Sequence, residues 1–313
     1  MRGAGRLYLL HVALAALGAA LLAGTAALVI GGQSFALPSS KEVGDACHGW
    51  WSDGGPAALI GLSITALALS AIGLGLRSVY RQVRASRRYL AALPIGSTAL
   101  DVEGHKCQLI DSAEPQAFCA GYLRPWVYLS RGAQVQLEPA ELRAVLAHES
   151  HHQRRRDPLR LLTARALADS LFFIPVLSRI SERYSALGEL AADEAAVKEV
   201  QGRGPLASAL LKFSQSPAQA AVVSLAPERV DHLMGDPDVT RWKLPASPLA
   251  RSALALVALG SVSLLVWHGI LHPNLQLPLL MAAACAGLMF CGPAMLALGA
   301  LLLSRHALRR HHA

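Results

Sequence analysis

The chain has 313 residues, 53% of them hydrophobic but only 5% aromatic, and a formal net charge of +8. Length alone would allow two soluble domains, but the apolar residues are gathered in long Ala/Leu/Gly/Val runs that match membrane spans and exclude a wholly soluble core. The positive charge clusters at the ends of those runs, which points to the membrane surface and not to direct nucleic-acid binding.

Leu7 to Gly31 is a near-continuous apolar run preceded by Arg2 and Arg6. At about 1.5 Å per residue it is long enough to cross a bilayer, and it is too long for the apolar region of an ordinary signal peptide. Residues 7–31 are therefore expected to form transmembrane helix 1, residues 32–55 an external loop with Trp50-Trp51 at the interface, and residues 56–76 transmembrane helix 2. Residues 77–98 read as a basic cytoplasmic linker. Its Arg77, Arg81, Arg84 and Arg88 share one helical stripe, as in a positive-inside anchor whose arginines snorkel to anionic headgroups.

Residues 99–247 are expected to form a cytoplasmic domain. Strand-like segments run over Cys107–Ile110, Ala117–Leu123 and Trp126–Leu129, the first two separated by the turn composition Asp111-Ser-Ala-Glu-Pro115. A sheet edge there would suit an extended peptide added as a further strand. Pro139 fits a first helical position, Glu141 favours the positive helix end, and Leu142, Val145, Leu146 and Glu149 follow with helical spacing.

That helix carries His148-Glu149-x-x-His152. Histidines four apart project from one face about a turn apart, so their imidazoles can share one metal ion. Glu149 lies about 100° round the helix, where it reaches a metal-bound water without ligating the metal. Zinc suits neutral imidazole and an open water position. A third ligand is available downstream, where Glu189 and Asp193 put two carboxylates one turn apart amid alanines. Asp193 is expected to orient a ligand histidine through its free ring nitrogen. Asp157 before Pro158 reads as a helix N-cap, with a bond to a ligand histidine as the alternative. Leu159 to Ile180 reads as one cytoplasmic or interfacial helix, since spanning would bury Arg160, Arg165, Asp169 and Arg179. Ser181 to Val200 reads as the next helix and Arg203 to Phe213 as another. A donor to the tetrahedral oxyanion is expected among His232, Arg229 and Tyr184.

These residues together resemble the membrane zinc metallopeptidases of the BlaR/MecR type. The resemblance runs from about Phe118 to Leu233 and includes Gly121–Ser130, Glu141–His152, Arg155-Arg156-Asp157, Phe173-Ile-Pro175, Glu189-x-x-x-Asp193 and Glu228–Leu233. It implies one Zn2+ per chain held by His148, His152 and Glu189, with Glu149 as catalytic base, in a gluzincin-like α+β domain. The HtpX and prenyl-protein protease family shares the core motifs. Ala226-Pro227 before Glu228 departs from the Thr-His-Pro common there and favours the BlaR/MecR resemblance. In the resembling receptors an external penicillin-binding sensor drives cleavage of a cytoplasmic DNA-binding repressor. No counterpart of that sensor is read here, so the expected partners are the bilayer and a protein substrate, such as a repressor. A membrane quality-control protease and a non-catalytic zinc-stabilised scaffold are the alternatives.

Residues 249–269 and 275–303 are expected to be transmembrane helices 3 and 4, with 304–313 a basic cytoplasmic tail. The expected fold is thus an α-helical membrane protein with four transmembrane helices and an α+β gluzincin-like zinc metallopeptidase domain between spans 2 and 3, both termini cytoplasmic. The five cysteines match no zinc knuckle and read as packing residues, with a redox pairing of Cys107 and Cys119 as the alternative.

Overall fold

A computed structural model of the chain describes residues 2–31, 41, 55–215, 229–230 and 245–271. The external loop, transmembrane helix 4, the C-terminal tail and His232 fall outside the described residues. The described part is mostly helical with one four-stranded sheet. Three of its helices are long and apolar enough to cross a membrane, over Gly3–Gly31, Leu59–Ala91 and Ala246–Trp267. The chain divides into two compact units, Met1–Ala19 with Ser70–Leu256, and Ala20–Leu69 with Val257–Ala313.

Helix α1 (Arg2–Gly31) has no proline to interrupt its Ala/Leu run. Helix α2 (Gly55–Ala91) continues without a break through the segment expected to be a linker. Arginine is a good helix former, and nothing between Arg77 and Ala91 disrupts the backbone ladder; Pro94 lies just beyond its end. The change at Leu76 is therefore one of polarity, not of conformation. In the smaller unit, Ala26 and Val29 of α1 are buried against Ile64 of α2, with Ile60, Ala68 and Val262 packed around them.

The larger unit holds the sheet, ordered β1-β2-β4-β3: β1 (Ile95–Val102), β2 (His105–Ile110), β3 (Ala117–Ala120) and β4 (Trp126–Ser130). β1 begins four residues before the expected start of the domain at residue 99 and precedes the first strand-like segment read from the sequence. It returns into β2 through Glu103 and Gly104, both at positive φ, a two-residue turn whose twist suits antiparallel strands. β2 and β4 run parallel, and β3 pairs antiparallel with β4. β3 is left as an edge strand. At its end Gly121 has φ 101, and a Cβ there would stand 2.9 Å from the Arg124 carbonyl, so only glycine fits this turn.

Five further helices follow: α3 (Arg131–Gln136), α4 (Pro139–Arg155), α5 (Asp157–Ser170), α6 (Val176–Val200) and α7 (Gly204–Ser214), and then α8 (Ala246–Trp267). One sheet face, with Cys107, Ala117, Val127 and Leu129, packs on Leu142, Val145 and Leu146 of α4 and Phe213 of α7. The other face, with Ile110, Phe118 and Tyr128, is packed against Leu90 of α2 and Leu93 just beyond its end. A separate cluster joins Ala15 of α1 to Leu171, Ile174, Leu177 and Ile180.

The single helix expected over Leu159–Ile180 is in fact two, α5 and the start of α6, broken at Leu171–Pro175. Proline disfavours the helical region for the residue before it, so Ile174 turns the chain and buries its own side chain completely. At about 1.5 Å per residue, the 14 residues of α5 measure roughly 21 Å, short of a bilayer's apolar core.

Candidate metal centre

Helix α4 begins at Pro139, and Glu141 Oε2 accepts the Glu138 backbone N–H at 2.8 Å. Glu141 is also gripped by Lys212 Nζ (2.6 Å) and Ser208 Oγ (2.5 Å) of α7, which fixes the start of α4. Two turns later His148 and His152 turn their Nε2 atoms towards each other at 3.2 Å. From α6 the Glu189 carboxylate meets both: Oε2 stands 3.5 Å from His148 Nε2, and Oε1 stands 3.5 Å from His152 Nε2. Ligand atoms bound to tetrahedral zinc at about 2.0–2.1 Å are roughly 3.3 Å apart. Each of these distances is close to such an edge, with the two carboxylate contacts ending on different oxygens; one ligand atom from each residue lies within 4.8 Å of the others, and the donor set of two imidazoles and a carboxylate is one zinc accepts.

Both imidazoles are held from behind. His152 Nδ1 donates to Asp157 Oδ2 at 2.9 Å. His148 Nδ1 stands 2.9 Å from Asp193 Oδ1, an ion-pair contact at an angle outside that of a straight hydrogen bond. A proton kept on each Nδ1 leaves each Nε2 lone pair free for a metal. Asp157 is therefore not the N-cap of α5, as expected, but its first residue. Arg156, at φ 54, occupies the cap position and turns the chain so that Asp157 comes back over His152. Tyr184 donates to Asp157 Oδ1 at 3.3 Å, which commits its hydroxyl behind His152. Arg229 grips Asp193 through Nε (2.9 Å) and Nη2 (2.6 Å), and its Nη1 stands 3.2 Å from Glu189 Oε2. Two of the three expected oxyanion donors thus face carboxylates, and the third, His232, lies outside the described residues.

Burial opposes every charge in this cluster, and the partners decide the outcome. Burial would raise Glu189 and Asp193, but His148 and Arg229 hold both down at about 2. Burial would lower His148, but Asp193 and Glu189 raise it to about 10 in the metal-free site. Glu149 goes the other way: desolvation raises it, only partly offset by His148 and His152.

The metal-facing atoms border a cavity of about 320 Å³. His148, Glu149, His152, Glu189 and Arg229 line one part, and β3 with Gly121 and Tyr122 another. Val145, Leu206, Leu210 and Phe213 give it an apolar portion. Gln82 and Ser86, near the end of α2, also line it, and Tyr122 Oη donates to the Gln82 carbonyl at 3.1 Å. The sequence gives no local sign of this, because the approach of α2 is long-range. Cys107 and Cys119 are both free. Burial pushes the Cys107 thiol up to about 11, and burial with Glu149 nearby pushes Cys119 up as well, which keeps both as unreactive thiols.

An HExxH helix crossed by a carboxylate-bearing helix, in a chain with three apolar helices of spanning length, defines a membrane metalloprotease. A family model described as BlaR1 peptidase M56 matches residues 58–231, more than half of the sequence. The chain belongs to the BlaR1 peptidase M56 family. No match was found among curated proteins or among solved structures.

Proposed function

We propose that the chain is a zinc-dependent integral-membrane endopeptidase in which His148, His152 and Glu189 hold one Zn2+ and Glu149 is the catalytic base. The observation that carries this reading is the Glu149 carboxylate. It is half-buried and lines the cavity beside the three converging ligand atoms, and among the described residues it makes no hydrogen bond or ion pair. When bound, zinc acidifies a water molecule and polarises a peptide carbonyl. Glu149 accepts the proton from water and returns it to the leaving amine, and its raised pKa suits a base working near neutrality. Asp157 and Asp193 hold the imidazoles in orientation, and Arg229 steadies Asp193 and Glu189 together. β3 ends the strand order and borders the cavity, which suits an extended substrate lying along it, with the apolar portion of the cavity to receive a hydrophobic side chain.

In this reading residues 99–247 form a gluzincin-like cytoplasmic domain, flanked by spans 7–31 and 56–76 before it and 249–269 and 275–303 after it. The substrate is a protein, and regulatory cleavage of a cytoplasmic DNA-binding repressor is the role the family membership favours. The test compares cells carrying wild type with cells carrying Glu149→Gln by proteomics, alongside zinc content of the purified proteins. The variant should keep its zinc, lose at least about 10²–10⁴-fold in cleavage rate, and accumulate an intact repressor. Accumulation of damaged membrane proteins would move the reading to quality control. Unchanged cleavage with zinc retained would reduce the metal to a structural role.

A further inference from the structure

A second, larger cavity of about 1390 Å³ opens in the same unit. Arginines from four separate helices line it: Arg77 and Arg81 of α2, Arg165 of α5, Arg179 of α6 and Arg251 of α8. Two carboxylates are present, and both are already engaged. Asp169 Oδ2 accepts from Ser78 Oγ at 2.5 Å, and Glu182 pairs with Arg179 at 3.1 Å. Among the described residues Arg77, Arg81 and Arg165 have no carboxylate partner. Five guanidinium groups outnumber the two carboxylates, so the cavity keeps an excess of positive charge that attracts an anion, and planar guanidinium forks match phosphate oxygens.

The level of the cavity narrows the choice of anion. Arg77 is the first charge after the apolar stretch of α2, and Arg251 is the one charged residue of α8, near its start. Both therefore lie where an apolar span meets the headgroup layer. Part of the wall is apolar, with Leu74, Pro175 and the 49% exposed Phe172, beside the hydroxyls of Ser78, Ser178, Ser181 and Ser185. Basic and apolar groups lining one cavity match the two parts of a phospholipid, and basic pockets between spans favour anionic headgroups.

We propose that this cavity binds the phosphate of an anionic phospholipid, with its acyl chains along the apolar wall. Arg165 and Gln82 line both this cavity and the metal cavity, so the headgroup sits at the border of the proposed catalytic cleft. The proposal does not depend on the peptidase reading, because its measurement is lipid retention. Full-length protein is placed in nanodiscs of phosphatidylcholine with phosphatidylglycerol, extracted, and its retained lipids are counted by native mass spectrometry. Wild type should retain phosphatidylglycerol over phosphatidylcholine, and Arg81→Gln/Arg251→Gln should lose that preference by about tenfold or more. The charge-matched control Arg124→Gln/Arg143→Gln, at residues that line neither cavity, should keep it. Thermal unfolding checks that each variant is folded, with Arg77→Gln/Arg179→Gln as the replacement pair. Equal loss in the control, no preference in wild type, or displacement of the lipid by millimolar inorganic phosphate would each overturn the proposal.

Discussion

Asp157 and Asp193 each stand behind one histidine, on its Nδ1 side and away from the Nε2 that faces the other ligand atoms. Removing their charge should act on metal affinity through the imidazoles. Asp157→Asn and Asp193→Asn are expected to weaken zinc binding about 10–100-fold, measured by competition with a chromophoric chelator, while the helices stay folded. Affinity equal to wild type in both would show that the histidines need no orienting. Glu189→Gln should cost metal and activity together, because a neutral amide is a poorer ligand. Glu141 carries a different kind of prediction. Burial would raise it, but its hydrogen bonds to Lys212 and Ser208 hold it below the ordinary carboxylate value. A depressed folded pKa contributes stability that is present above the unfolded value of about 4.3 and lost as pH falls through the folded one. Glu141→Gln should therefore lower stability at neutral pH by about 1.5–3 kcal/mol and flatten the loss on acidification. Denaturation curves at several pH values that keep the wild-type acid limb would refute this.

At the scale of elements, the turn between α5 and α6 is the joint on which the second helical arm depends. Ile174 is completely buried there, with α1 packed against the same cluster. Ile174→Ala is expected to cost about 2–5 kcal/mol in chemical denaturation, a loss that a surface turn would not show. Why this joint is hard to read from sequence is instructive. The apolar run through Phe172 and Phe173 has helical periodicity on both sides, and Pro175 alone marks the break. The motif helix was legible, because Pro139 and His148-Glu149-x-x-His152 are local patterns with a fixed spacing. The carboxylate pair on α6 was legible for the same reason. What stayed hidden was the company these residues keep. Tyr184 reaches Asp157 across 27 positions, and Arg229 reaches Asp193 across 36. Neither reach follows from any local spacing, and an arginine near a metal motif reads equally well as an oxyanion donor or as a clamp.

For the whole molecule, the proposed topology makes an outright prediction. A reporter near Gln201 should be cytoplasmic and one near Ser40 external, since arginines gather at the inward ends of the apolar runs. Membrane-impermeant labelling of intact cells that modified a cysteine at position 201 would reverse the orientation of the chain.

Helix α1 is made well before its partners. Tyr8 bonds Thr163 at 2.9 Å across 155 residues, its ring packs 5.2 Å from that of Tyr184, and His11 Nε2 meets the Ala164 carbonyl at 3.1 Å. At roughly 5–20 residues per second of synthesis, the Tyr8 contact waits about 8–30 s for its other half. During that interval the His11 imidazole and the Tyr8 phenol lack the partners that α5 and α6 later give them. The pairing of α1 with α5 and α6 is thus a late event in the making of the chain, complete only once Tyr184 has been added.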